Sequence, residues 1–143
     1  MAANMSAMWG EKIVERGFTQ VPNYLMMINQ FLAEERRLTP VQLLVLLQLV
    51  YNWWEKDKPP FPSMQTMARR LGVSERQVQR AITDLEKKDI IKRVKRAQGN
   101  LRASNAYDMS GLVSILGEVA EAYLNAYPRR RRARVGLDDD MPF

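Results

Sequence analysis

FPSMQTMARRLGVSERQVQRAITDLEKKDIIKRV, residues 61–94, holds two helical stretches and then a single change of apolar period. Ser63 offers an N-cap, and Met64, Met67, Ala68 and Leu71 then fall on one face of a short helix. Gly72 follows, a residue that tolerates the left-handed conformation at a helix C-terminus. Ser74 caps again, with Gln77 three positions on, the spacing of a capping box. The helix predicted over residues 75–89 puts Val78, Ile82 and Leu85 on one face and Arg76, Gln77, Gln79, Arg80 and Thr83 on the other. After Asp89 the period falls to about two, so Ile90 through Arg96 read as a strand. Ala97, Gln98, Gly99 and Asn100 form a turn, and a second strand over residues 101–109 pairs back to give a basic hairpin.

On the N-terminal side, Thr39, Pro40 and Gln42 combine a cap, a proline suited to the first helical position and a second capping box. A helix is predicted from Pro40 to about Trp54. Its only polar residues after the cap are Gln42, Gln48 and Asn52, which places it at the centre of the core. Trp53 and Trp54, at its end, read as core or hinge residues, with base stacking as the alternative. Before it, a helix from Asn23 carries Leu25, Ile28, Phe31 and Leu32 at helical spacing. On the C-terminal side, Ser110 is expected to cap a last helix reaching Tyr127, where Pro128 stops it. Leu112, Leu116, Val119 and Tyr123 repeat along that helix, and Val113, Ala120 and Leu124 widen its apolar face. Such breadth suggests a dimer interface; the alternative is packing wholly on its own domain.

The expected organisation is a flexible leader over 1–16, a domain over 17–109, the last helix over 110–127, and an Arg-rich then acidic flexible tail over 128–143. With 143 residues and 46% apolar side chains, the chain is long enough to bury a core. It has no cysteine and no histidine, which removes zinc fingers, thiol nucleophiles, imidazole metal sites and Ser-His-Asp catalysis. There is also no Gly-rich phosphate loop. No enzyme activity, metal or cofactor is expected. The N-terminus has no secretory pattern and no run spans a membrane convincingly, so a cytoplasmic protein is expected.

The charge is not spread evenly. Of the formal +6, residues 1–62 contribute nothing, residues 63–102 carry +7, residues 103–128 carry −3 and the tail +2. A basic block coincident with one structural motif is the electrostatic footprint of a nucleic-acid binder.

Two short helices around a tight turn at Gly72 and Val73, the second opening with long hydrogen-bonding side chains, have the form of a helix-turn-helix. The basic hairpin after it makes a winged one. The fold expected is therefore mainly α with a small β-hairpin, a winged helix-turn-helix with an extra C-terminal helix. Residues 61–94 resemble the winged helix-turn-helix families of bacterial transcriptional regulators. With FTQVPNYLM (residues 18–26) and LTPVQLLVLLQLVYNWW (residues 38–54), the chain also resembles the N-terminal DNA-binding domain of phage and plasmid replication initiators. The resemblance covers roughly residues 18–116. It implies sequence-specific binding of double-stranded DNA, with recognition-helix contacts at Ser74, Arg76, Gln77, Gln79 and Arg80 and wing contacts at Lys95, Arg96, Gln98, Asn100 and Arg102. Thr83 stands on the same outward face. Transcriptional regulation by a homodimer, nucleoid-associated in a bacterium, is the role expected. The alternative is a replication-initiation or DNA-transfer accessory protein of a mobile element, working with replication or transcription proteins.

Overall fold

The computed structural model describes residues 2–96 and 105–126. Its centre is α5 (Pro40–Tyr51), started by the expected capping box: Gln42 N donates to Thr39 Oγ1 at 3.2 Å, and Thr39 N donates to Gln42 Oε1 at 3.0 Å. Val45, Leu46 and Leu49 of this helix are fully buried. The helix ends at Tyr51, three residues before the expected limit, where Asn52 folds its side-chain amide back onto the Gln48 carbonyl at 2.8 Å.

Before α5 come α1 (Ala2–Trp9), α2 (Glu11–Val14), α3 (Asn23–Met26), α4 (Ile28–Phe31) and a 3-10 turn at Glu34–Arg36. The helix expected from Asn23 is interrupted at Met27, whose φ of −110° and ψ of 22° leave the helical basin. Leu25 and Ile28, on either side of the break, both reach the core. Much of the expected leader is helical, in α1 and α2, yet none of residues 4–20 is buried.

α6 (Met64–Leu71) and α7 (Glu75–Lys87) follow α5. Thr66 N donates to Ser63 Oγ at 3.0 Å to start α6, and Gly72 ends it at φ 69°, ψ 33°, the left-handed geometry anticipated for this position. Met67 and Ala68 of α6 and Val78, Ala81, Ile82 and Leu85 of α7 join α5 in one core. Gln42 is the one buried polar side chain among the described residues. Besides capping α5, it donates to Asp84 Oδ2 at 3.2 Å and accepts from Lys88 Nζ at 2.9 Å. The cap of the central helix is thereby tied to α7, and the burial cost of an amide is offset by hydrogen bonds.

The hairpin is shorter than expected. β1 (Lys92–Val94) and β2 (Ala106–Asp108) pair antiparallel with Lys92 opposite Asp108, Arg93 opposite Tyr107 and Val94 opposite Ala106. Ile90 and Ile91 are spent on the core instead of the ladder, after Asp89 reverses the chain at φ 60°. Residues 97–104, with the expected turn, lie outside the described residues. Tyr107 is buried, and desolvation pushes its phenol above the ordinary value of 10.0, with Arg93 opposing. The folded state thus holds this proton more tightly than the unfolded chain. The resulting stabilisation is intact below pH 10 and falls as the pH rises through the folded value, which urea unfolding across alkaline pH measures.

α8 (Ser110–Ala122) closes the fold. Ser110 does not cap it by side chain, as had been expected; Asp108 Oδ1 accepts from Ser110 N at 2.8 Å. Hydrogen bonds from the Ser110 backbone, first, and its hydroxyl hold the Asp108 carboxyl below its ordinary value. The helix stops at Ala122 instead of Tyr127, because Tyr123 leaves it at φ −128°, ψ 50°. Tyr123 then receives Tyr24 Oη on its carbonyl at 2.7 Å and sets its ring 5.1 Å from that of Phe31. Two of the residues expected at a dimer interface, Leu112 and Val119, are buried in the chain's own core, and Leu116 packs partly buried against it. The broad apolar face serves this domain first. Gly111 seats the start of α8 so closely on the α7–β1 connection that a Cβ would overlap the Asp89 carbonyl and lie 2.9 Å from that of Ile90. Gly111→Ala is expected to lower stability by about 1–3 kcal/mol in urea unfolding, because backbone atoms must move to admit one methyl.

Candidate nucleic-acid interface

α7 presents its outward face because the inner one is fixed. With Val78, Ala81, Ile82 and Leu85 buried, the helical period turns Arg76, Gln79, Arg80 and Lys87 to solvent along one stripe. Glu75 and Asp84 flank that stripe, so the charge on the helix is mixed and its cations are not simply repelling one another. Lys87 was not anticipated. Its spacing, four residues after Thr83, continues the stripe by one turn and was readable from the sequence.

Two of the expected contact residues have a local task. Gln77 N donates to Ser74 Oγ at 3.1 Å, and Ser74 N donates to Gln77 Oε1 at 3.0 Å, closing the capping box of α7. The Gln77 carboxamide is folded back on the helix start instead of extending with Arg76 and Gln79. Replacing Ser74 with alanine is expected to cost about 0.5–2 kcal/mol of stability. Gln77→Ala removes only the reciprocal bond, about 0.5–1.5 kcal/mol, and should weaken specific and scrambled duplexes equally. Urea unfolding and paired DNA titrations check both.

Thr83 is half-buried, and its hydroxyl accepts from Arg93 Nη2 at 2.8 Å. Arg93 also donates from its backbone N to Glu86 Oε2 at 3.0 Å and from Nε to Glu86 Oε1 at 3.2 Å. One arginine of the basic block is thus a fastener between β1 and α7. It fixes the base of the hairpin relative to the outward stripe, so Lys95 and Arg96 leave β1 from a defined place. Sequence charge alone does not separate this arginine from its neighbours, because its partners Thr83 and Glu86 are brought near only by the fold.

Arg96 lies with its guanidinium carbon 3.8 Å from the centroid of the Phe61 ring, a cation–π contact. Stacking occupies the guanidinium plane and leaves the in-plane N–H donors usable for phosphate. Lys95 is exposed. On α6, Arg70 is turned to the fold as well, donating to Gln48 Oε1 at 3.3 Å and lying 5.5 Å from the Tyr51 ring centroid. Gln98, Asn100 and Arg102, expected at the hairpin tip, and the arginine run of the tail lie outside the described residues.

Among the described residues no group of acidic side chains is arranged to hold a metal ion, and no helix is long and apolar enough to cross a membrane. What the surface offers is a rigid helix start, a row of Arg and Gln, and an arginine-braced hairpin beside it. Arginine and glutamine are the side chains that pair in bidentate fashion with guanine and adenine edges in a major groove.

Residues 36–91 match the model of the family described as a helix-turn-helix domain. The matched segment runs from the 3-10 turn before α5 to the start of the hairpin, and so contains α5, α6, the Gly72 turn and α7. No curated protein matches the chain.

Proposed function

We propose that this helix-turn-helix protein binds double-stranded DNA sequence-specifically, with α7 in the major groove, and acts without chemistry as a transcriptional regulator. The observation that carries it is the exposed row Arg76, Gln79 and Arg80 on a capped helix whose opposite face is locked into the core. Helix entry into the groove needs that division of labour: the inner face sets position, the outer face meets base edges. Lys95 and Arg96 contact phosphate or the adjoining minor groove and add affinity without sequence preference. Such a role places the protein with intracellular DNA.

Fluorescence anisotropy with a selected duplex and a scrambled one, repeated across a salt series, tests this. The binding constant is expected to fall linearly with salt on logarithmic axes for both duplexes, with the selected one bound more tightly throughout. Absence of binding at low salt contradicts it. Footprinting then assigns the role: a site over the chain's own promoter supports regulation, whereas directly repeated sites at an origin replace it with the replication role.

A further inference from the structure

We propose that two copies of the chain pair by exchanging their N-terminal arms, α1 of each copy seated in an apolar groove of the other. The groove runs between the end of α5, the loop before α3 and the start of α8, with walls formed by Phe18, Val21, Trp53, Trp54, Val113 and Leu116. It encloses a hollow of about 710 Å³ and continues past Trp54 and Val113 into a second of about 790 Å³. Trp54 is 77% exposed and Val113 53%. An indole left this open beside an apolar hollow marks a surface that binds something.

The matching surface is on the same chain. Met5, Met8 and Trp9 stand at i, i+3 and i+4 on one face of α1, and Ile13 follows on α2, beyond the break at Gly10. Met8 is 72% exposed, Trp9 56% and Ile13 50%. An eight-residue helix is marginal in water unless an apolar face is covered. α1 carries no charged side chain, so it enters an apolar groove without burying an ion. In the single chain it does not occupy the groove, since none of residues 4–20 is buried.

The connection favours exchange. Gly10 and Gly17 sit at φ 85° and 93°, backbone geometry that glycine adopts without strain, at both ends of the α2 segment. Gly17 leads directly into Phe18, which forms part of the groove wall and touches the Trp9 ring edge-on with centroids 6.2 Å apart. The arm is thus hinged at the rim of the groove, the arrangement from which swapping an identical element is a low-cost route to a dimer. A two-fold pair carries the contact twice. Four indoles buried to the extent now exposed remove roughly 400–650 Å² from water, a third or more of the ~1,200 Å² that a specific interface needs, and Met8, Ile13, Phe18 and Val113 add to it. This pairing replaces the inner stripe of α8 as the dimer surface.

The test uses the full chain and sedimentation equilibrium over the micromolar range. The wild type is expected to dimerise, and Trp9→Glu in the arm or Val113→Glu in the groove should each weaken the dimer by at least about tenfold. Both side chains are exposed, and matching helical circular dichroism and melting show that the variants fold; Trp54→Glu stands in for the groove variant. Mixing the arm variant with the groove variant should give more dimer than either alone, because the intact arm of one meets the intact groove of the other and so recovers one of the two contacts. A monomeric wild type overturns the proposal. So does a dimer indifferent to Trp9→Glu, or a mixture that stays monomeric, and a monomeric wild type that still binds DNA leaves the DNA-binding function standing.

Discussion

Arg80→Ala is expected to reduce the preference for a selected duplex over a scrambled one by about 5- to 150-fold, equivalent to ~1–3 kcal/mol. Arg80 lies on the second turn of α7, exposed, one helical turn beyond Arg76 and next to Gln79. In the proposed reading the guanidinium there presents a planar fork to two acceptors of one guanine, and alanine would leave those acceptors to water. Because the interaction exists only on the right base, its loss appears in discrimination. Lys95→Ala behaves differently. A lysine on phosphate contributes on every sequence, so the substitution should weaken both duplexes alike and flatten the salt slope by about one. Paired anisotropy titrations separate the two outcomes, and an equal loss on both duplexes for Arg80→Ala contradicts base reading by that side chain.

Leu112→Ala is expected to cost about 2–5 kcal/mol of folding stability. Leu112 is 2% exposed and belongs to the cluster that also holds Leu25 and Ile115. Removing its branched end deletes transfer energy and leaves a cavity between α8 and the rest of the domain. Were Leu112 instead the contact between two copies, the substitution would dissociate a dimer and leave the unfolding of the monomer unchanged. Urea unfolding monitored at two protein concentrations distinguishes these: a concentration-independent fall in midpoint identifies a core residue. DNA affinity should follow the folded fraction, with discrimination preserved.

The features legible from the sequence are those determined within a few residues. The Thr39–Gln42 and Ser74–Gln77 boxes, the Ser63 cap and the left-handed Gly72 each depend on neighbours at most four positions away, and each stands where expected. The outward row of α7 follows from the same local period. What depended on distant partners was not legible. The apolar run of residues 40–54 predicts Trp54 at the end of a buried helix, but α5 stops at Tyr51 and leaves its indole exposed. The sequence gives Gln77 two tasks, cap and base contact, and the closed box places its amide on the helix start. The breadth of apolar residues on α8 is legible, but that its inner stripe is covered by this chain's own helices is not. Arg93 belongs to the basic block by sequence, but Thr83 and Glu86 hold it in the fold.

The most direct test of major-groove reading is dimethyl sulfate protection on a duplex selected from a random pool, because the reagent methylates guanine N7 in that groove. Wild-type protein is expected to protect guanines where α7 enters the groove, and Arg80→Ala should lose a protection at each such position while the protein stays folded and bound at low salt. Unchanged N7 reactivity at saturating wild-type protein would contradict the placement of α7 in the major groove.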